Sequence, residues 1–241
     1  MAIALIFAGG TGSRMNSKSK PKQFLSLFGK SIIIHTLEHF EYHPEIDSIA
    51  VVCRENWIGY LKEELKHNFF EKIRWIVPGG ETGQLSIYNG LQAIHHSCDN
   101  PKDTIVLIHD GVRPLINDKL ISDNIAAVKQ FGSAITVTRA AETVINTNDH
   151  NEIIDIPNRA YAKIAKAPQS FYLADIISAH ERAITDNTVK MVDSASLMMH
   201  YGYRLHTVDG PVENIKITTA SDYYIFRAIY EARENSQIFG L

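Results

Sequence analysis

Short apolar runs alternate along this chain with longer amphipathic segments. Four runs are almost wholly apolar and lie at 3–8, 48–53, 73–77 and 104–109. Such runs are typical of strands that are buried on both faces of a parallel sheet. Four segments between and after them have helical periodicity, at 31–42, 57–70, 86–97 and 119–130. The alternation predicts an α/β fold with an open, mainly parallel, Rossmann-like sheet and helices on both faces.

One stretch departs from this alternation. The segments 134–146 and 152–156 are β-rich and flank a polar loop at 147–151, which predicts a projecting β-hairpin arm at about 139–160. An isolated two-stranded ribbon is marginally stable in water, so the arm needs a surface to pack on. That surface is either a second copy of the chain or the arm's own domain. No linker or repeat divides the sequence, and we expect a single domain over 1–241.

The composition excludes several classes of protein. The chain has 241 residues, a formal net charge of -3 and 45% hydrophobic residues, without the basic surplus of a nucleic-acid binder. No run approaches the roughly 20 apolar residues of a membrane span, and no positively charged region precedes the first apolar run as in a secretory signal. The two cysteines, Cys53 and Cys98, are expected to be free thiols. We therefore expect a cytoplasmic enzyme without a nucleic-acid or membrane partner.

Polar or glycine-rich turns follow three of the predicted strands, at 9–14, 79–86 and 110–113. The carboxyl ends of parallel strands meet at one edge of a sheet, which is where open α/β sheets bind ligands. The first turn is followed closely by cations: Arg14, Lys18, Lys20 and Lys22. Bare N–H groups of a glycine turn, with cations nearby, suit a polyphosphate. The sequence therefore predicts a nucleotide site.

Two familiar phosphate-binding motifs are incomplete, and a row of histidines lacks the other ligands of a metal site. The segment 10–15 has Met15 where the dinucleotide fingerprint requires a third glycine, and 24–31 ends like a P-loop but begins with Phe24 instead of glycine. Three histidines recur at helical spacing: His35, His39 and His43. No cluster of carboxylates or cysteines accompanies them, so we predict a solvated helix face there and not a metal site.

Five blocks in chain order carry a more specific pattern. They are Ala8-Gly9-Gly10-x-Gly12-x-Arg14 with Pro21-Lys22-Gln23, then His109-Asp110-x-x-Arg113-Pro114, Asp155 to Ala160, Ala167-Pro168-Gln169-x-Phe171, and Asn214 to Thr218. Over nearly the whole chain this pattern resembles the nucleotidyltransferases, and more closely the cytidylyltransferases that act on polyol phosphates. The resemblance implies transfer of a cytidylyl group from CTP to a polyol phosphate with release of pyrophosphate, Mg²⁺ as cofactor, and a homodimer formed through the arm.

The resemblance also implies roles for individual residues. The catalytic cations would be Arg14 and Lys22, beside the α-phosphate of CTP. The nucleotide would be bound by Ala8, Gly9, Gly10, Thr11, Gly12, Gly79, Gly80, Ser86 and Asp110. The acceptor would be bound by Arg113, Thr143, Arg159 and Lys216, with Arg159 reaching into the neighbouring subunit. Asp110 is also the candidate magnesium ligand, directly or through water, and a structural salt bridge is the alternative role for Arg113.

Three positions depart from the family pattern. Gly83 stands where arginine is usual after the paired glycines, and Ala167 and Val192 each replace a threonine near the acceptor. The first departure leaves the nucleotide side without one cation of the family pattern. The other two replace hydroxyl groups near the acceptor by apolar groups and bear on the identity of the polyol.

Two branches of the family are candidates. The residues at 110–114 and 155–160 are more similar to those of the ribitol-phosphate branch. They favour D-ribitol 5-phosphate as acceptor, in wall or capsule polymer synthesis. The residues at 193–196 are more similar to those of the methylerythritol branch and favour 2-C-methyl-D-erythritol 4-phosphate as acceptor, in isoprenoid synthesis. We expect the first acceptor, with the second as the alternative. A catalytically inactive, nucleotide-binding regulatory subunit is a further alternative.

Overall fold

The structure is a computed structural model that describes residues 1–9 and 20–239. In chain order the strands are β1 (Ala2–Ala8), β2 (Ser26–Leu27), β3 (Lys30–Ser31), β4 (Ser48–Cys53), β5 (Ile73–Pro78), β6 (Ile105–Asp110), β7 (Ser133–Arg139), β8 (Asn146–Thr147), β9 (Ile153–Asp155), β10 (Lys163–Tyr172) and β11 (Thr207–Asp209). The α-helices are α1 (Ile32–Glu41), α2 (Ile58–His67), α3 (Gly83–His95), α4 (Asp118–Phe131), α5 (Leu173–Thr185), α6 (Ser194–His200) and α7 (Ala220–Phe239). Short 3-10 helices cover Lys22–Phe24 and Glu55–Trp57.

A seven-stranded sheet organises the molecule in the order β11-β7-β10-β6-β1-β4-β5. Every strand except β10 runs in the same direction, and β10 pairs antiparallel with both β6 and β7. The predicted open, mainly parallel sheet is therefore confirmed. The chain passes from β1 to β4 and β5 on one side, and then crosses to β6 on the other side of β1. The carboxyl end of β1 is thus the point where the strand order reverses, and such a point is the usual ligand-binding crevice of an α/β sheet.

The helices cover both faces of the sheet, as predicted. Side chains alternate between the two faces of a strand, so Ala4 and Ile6 of β1 pack with α1, α2 and α4, whereas Ile3 and Leu5 pack with α3, α5 and α6. A third cluster forms under α7 around Phe226. Within the described residues, no helix is long and apolar enough to cross a membrane.

The prediction for 134–146 was wrong in its bounds. Its first part is β7, a buried strand of the central sheet that pairs with β10 and β11, and only Asn146–Thr147 belongs to the hairpin with β9. The arm is therefore the segment between β7 and β10. Strand β10 has no counterpart among the predicted strands, because its Lys- and Pro-containing sequence lacks the apolar character of its neighbours in the sheet.

Candidate active site

The loops that follow β1, β5 and β6 lie together at one edge of the sheet, as the sequence predicts. The amide of Gly79 donates to the carbonyl of Cys53 at 2.9 Å, and the amide of Gly111 donates to the carbonyl of Phe7 at 3.0 Å. A Cβ atom added to Gly9 would lie 3.2 Å from Ser86 Oγ, and one added to Gly79 would lie 3.0 Å from the same atom. The first two loops therefore approach each other across the Ser86 side chain.

Ser86 organises the paired-glycine loop. Its hydroxyl accepts from the Gly80 amide at 3.0 Å and donates to the Thr82 carbonyl at 2.8 Å. Thr82 in turn caps α3, since its side chain accepts from the Leu85 amide at 3.1 Å. A cavity of about 360 Å³ opens beside this loop. Its lining residues are Gly9, Arg54, Glu55, Asn56, Gly79, Gly80 and Glu81.

Lys22, one of the two predicted catalytic residues, lies close to the end of β1, where the first glycine turn begins. Lys22 is in the 3-10 helix and is only 8% exposed. The neighbouring Gln23 is buried and donates from Nε2 to the Ala8 carbonyl at 2.8 Å, which ties this helix to the end of β1. The other residues predicted in this turn, Gly10, Thr11, Gly12 and Arg14, lie outside the described residues.

A second cavity, also of about 360 Å³, adjoins the carboxyl end of β6. We call it the acceptor-side cavity. The start of α3, the end of β6 with the loop after it, strand β10, His180 of α5, the start of α6 and the segment before α7 all contribute to it. The lining residues that enter the argument are Phe7, Gly83, Asp110, Arg113, Lys166, Ala167, Gln169, Val192, Asp193 and Lys216. Both departures near the acceptor, Ala167 and Val192, therefore face the same space as the predicted acceptor-binding cations.

Asp110, Arg113 and Lys216 form the charged centre of this cavity. Arg113 Nε donates to Asp110 Oδ2 at 2.7 Å, and Lys216 Nζ lies 2.6 Å from Asp110 Oδ1. Asp110 is 6% exposed. Burial alone would raise the pKa of Asp110, but the charges and hydrogen bonds of Lys216 and Arg113 hold it below its ordinary value. The salt bridge considered for Arg113 thus exists, and it lies on the cavity wall.

Polar residues behind the cavity hold this centre in place. Asn214 is fully buried; its carbonyl accepts from Arg113 Nη1 at 3.0 Å, and its Nδ2 donates to the Ala167 carbonyl at 2.6 Å. Gln169 donates to Asp193 Oδ2 and accepts from the Ala195 amide, both at 2.9 Å. Neither Asn214 nor Gln169 is among the predicted site residues, although both belong to the five blocks of the sequence pattern.

Two predicted acceptor-binding residues lie elsewhere. Thr143 and Arg159 are exposed on the arm, and neither lines the acceptor-side cavity of its own chain. Among the described residues, the Arg159 guanidinium makes one long hydrogen bond, 3.4 Å from Nη1 to the Ala141 carbonyl. The structure therefore brings Arg113 and Lys216 together but leaves Thr143 and Arg159 apart from them within one chain.

The prediction for the three histidines of α1 was wrong about their surroundings. His35 and His43 are buried, and His39 is half-buried. Each ring shares a hydrogen bond with a backbone carbonyl of a distant segment: His35 with Leu27 at 2.9 Å, His39 with Pro114 at 2.8 Å and His43 with Asp118 at 3.1 Å. The helix face is therefore packed and not solvated. Over 1–9 and 20–239, no group of three His, Cys, Asp or Glu side chains forms a metal site.

The sheet topology, the glycine loops at the switch point and the cation-lined cavity define a nucleotidyltransferase-like α/β protein. The sequence profile of the 2-C-methyl-D-erythritol 4-phosphate cytidylyltransferase family matches residues 2–232, and the chain belongs to this family. It is therefore a cytidylyltransferase, that is, a CTP-dependent nucleotidyltransferase.

Comparison with individual proteins separates two groups of relatives. A protein of Vibrio parahaemolyticus serotype O3:K6 named ribitol-5-phosphate cytidylyltransferase is 50% identical over 240 residues, covering 100% of both chains. A protein of Streptococcus agalactiae serotype III with the same name is 49% identical over 241 residues, again covering 100% of both. Among solved structures, 4-diphosphocytidyl-2C-methyl-D-erythritol synthase from Anaerococcus prevotii DSM 20548 superposes with a TM-score of 0.82 at 29% identity, covering 95% of this chain and 96% of that one.

Proposed function

We propose that this enzyme transfers the cytidylyl group of CTP to D-ribitol 5-phosphate, giving CDP-ribitol and pyrophosphate. The observation that carries the proposal is identity near one half, over the full length of both chains, with relatives named for this reaction. The acceptor-side cavity supports it, because Arg113 and Lys216 line a space of about 360 Å³ that is large enough for a five-carbon polyol phosphate.

In the proposed mechanism, a phosphate oxygen of the acceptor attacks the α-phosphorus of CTP and pyrophosphate leaves in line. No general base is needed, because the acceptor phosphate is already anionic at neutral pH. We assign to Lys22 and Arg14 the stabilisation of charge on the pentavalent transition state. The amides of 9–12 would cradle the phosphates, and the loop of Gly79 and Gly80, fixed by Ser86, would read the cytosine edge.

Asp110 would act as a positioning residue. Both of its carboxylate oxygens are engaged, one by Lys216 and the other by Arg113. It therefore fits a resident Mg²⁺ poorly, and the described residues contain no group of three His, Cys, Asp or Glu side chains that could hold a metal ion. We propose that Mg²⁺ enters as the Mg–CTP complex, bound to the triphosphate, and that Asp110 holds the two acceptor-side cations in place.

We also propose that the arm docks on a second copy of the chain. Large apolar side chains are exposed on it: Ile153 is 58% exposed, Ile154 65%, Ile156 57% and Tyr161 84%. An isolated hairpin with such a surface needs a partner. In the dimer, Thr143 and Arg159 would complete the acceptor site of the neighbouring subunit, which accounts for their distance from the cavity of their own chain.

Pyrophosphate release tests the acceptor. With CTP and Mg²⁺, D-ribitol 5-phosphate should give turnover, and 2-C-methyl-D-erythritol 4-phosphate should give much less. Equal or faster turnover with the second acceptor would overturn the assignment. CTP binding without pyrophosphate release from either acceptor would favour the regulatory alternative.

A mixing experiment tests whether Arg159 acts across the dimer. Lys22→Ala and Arg159→Ala should each abolish turnover, and Lys62→Ala, an exposed residue of α2, is the control. If Arg159 serves the neighbour, unfolding and refolding the two inactive variants together restores one intact site per heterodimer. Statistical mixing then returns about a quarter of wild-type activity. If Arg159 serves its own subunit, no activity returns.

A further inference from the structure

Three cations line the acceptor-side cavity, and two of them are already paired. Arg113 and Lys216 both contact Asp110 through the bonds given above. The third is Lys166, which is half-buried. Among the described residues, none forms a hydrogen bond or an ion pair with the Lys166 ammonium group. The uncommitted positive charge of this cavity therefore lies on Lys166.

The course of β10 explains why Lys166 lines the cavity. In a regular strand, successive side chains point to opposite faces. The register between β10 and β7 shifts between Ala165 and Gln169. Such an irregularity interrupts the alternation, and Ala165, Lys166 and Ala167 consecutively line the cavity. The bulge thus places an ammonium group beside one of the two positions where the family's threonine is missing.

The surroundings of Lys166 suit an anion. Burial, with a further contribution from the positive charge of Arg113, lowers the pKa of Lys166 below its ordinary value. A phosphate group bound beside Lys166, carrying a charge of about -2, would offset the effects of burial and of Arg113. It would thereby stabilise the charged ammonium form. Ala167 and Val192 present no polar group that would compete for it.

We propose that Lys166 binds the phosphate of the acceptor and, with Arg113 and Lys216, selects phosphorylated polyols. The inference rests on the proposed function, because it requires a polyol phosphate as second substrate. Lysine is a flexible point charge and serves this purpose without the fixed fork of arginine. The charge of Lys166 would thereby take the place of the two threonine hydroxyl groups that are missing at Ala167 and Val192.

Steady-state kinetics of Lys166→Met and Lys166→Arg test the proposal. Methionine keeps most of the stem and removes the charge. We expect Lys166→Met to raise the KM for D-ribitol 5-phosphate about 10- to 100-fold, the range for a lost charged hydrogen bond, with less than about a 3-fold change in the KM for CTP. Lys166→Arg should restore most of the loss. Lys163→Met is the matched control, since Lys163 is on the same strand but pairs with Asp209 outside the cavity.

Inhibition by inorganic phosphate identifies the group that Lys166 binds. Competition by phosphate against D-ribitol 5-phosphate should weaken in Lys166→Met in parallel with the KM. Unchanged phosphate inhibition, an unchanged acceptor KM, or an equal rise in the KM for CTP would each overturn the proposal. Failure of the proposed function is a separate result, because the wild-type enzyme would then release no pyrophosphate with D-ribitol 5-phosphate before any variant is made.

Discussion

Replacing His180 by leucine should make the protein more resistant to acid. His180 lies on α5, is 1% exposed and stacks on Tyr88, and its Nε2 has no hydrogen-bond partner among the described residues. Burial lowers the pKa of His180 to about 4, against an ordinary value of 6.5. Between these two values the unfolded chain binds a proton that the folded chain does not. Stability is therefore fully present above pH 6.5 and is lost as the pH falls toward 4.

The size of this effect follows from the two pKa values. A histidine that titrates at about 6.5 when unfolded and about 4 when folded removes roughly 2 kcal/mol of stability between pH 7 and pH 5. Burial also lowers the pKa of His109 to about 4, so His109 causes a similar loss of stability between pH 7 and pH 5 in the wild type. His180→Leu should thus halve the loss that these two histidines cause. At pH 7 the variant should differ in stability by less than about 1 kcal/mol, because leucine removes a buried, unpartnered polar atom from the wall of the acceptor-side cavity.

Urea unfolding at pH 7 and pH 5 measures the difference directly. The control is His67→Leu on the exposed surface of α2, which should lose as much stability as the wild type. The reasoning about burial would be refuted if His180→Leu lost the same free energy of unfolding between the two pH values as the wild type. A loss of several kcal/mol at pH 7 would also refute it, since that would require a favourable contact of the imidazole.

Three further variants examine the site. Asp110→Ala leaves the Arg113 side chain, which is 11% exposed, without its carboxylate partner. The free energy of unfolding in urea should fall by roughly 3 kcal/mol. A fall of less than about 1 kcal/mol would contradict the role of Asp110. Gly80→Ala places a Cβ 2.7 Å from Leu85 Cβ and must shift the loop, so calorimetry should show CTP binding about tenfold weaker or worse. A Cβ atom added at Gly83 meets nothing within 4 Å, so Gly83→Arg should fold normally and lower the KM for CTP. An unchanged KM would show that the added cation does not reach the nucleotide.

The sequence predicted the parts of the site that depend on parallel strands. Gly9, Gly79 and Asp110 each follow an apolar run, and parallel topology alone brings the ends of such runs to one edge. The predicted β4 matches the observed Ser48–Cys53, because a buried strand between polar turns has clear limits. Predictions of this kind use only local patterns and one general property of α/β sheets.

The remaining parts depend on contacts between distant segments. His39 is 75 residues from Pro114, to which its ring is bonded, so the spacing of histidines on α1 could not show that this face is packed. Likewise Lys166 and Gln169 reach the cavity only because β10 inserts antiparallel between β6 and β7 and bulges there. A local sequence pattern does not indicate such an insertion. Gln169 belongs to one of the family blocks, but the block does not indicate which residues Gln169 contacts.

In the proposed acceptor site, the buried position of Asp110 has two consequences. Its carboxylate holds the Arg113 guanidinium and the Lys216 ammonium in place before any ligand binds, so these donors need little reorganisation when charge develops nearby. The same carboxylate cancels one of the two positive charges, so that the three groups together carry a net charge of +1. A dianionic acceptor phosphate is not neutralised by such a cluster. The charge that completes the balance within one chain is that of Lys166, and Arg159 of a neighbouring subunit would add to it. If the proposed site binds a dianionic phosphate, it requires both the pre-organisation by Asp110 and the additional cations proposed from β10 and from the arm of a second copy.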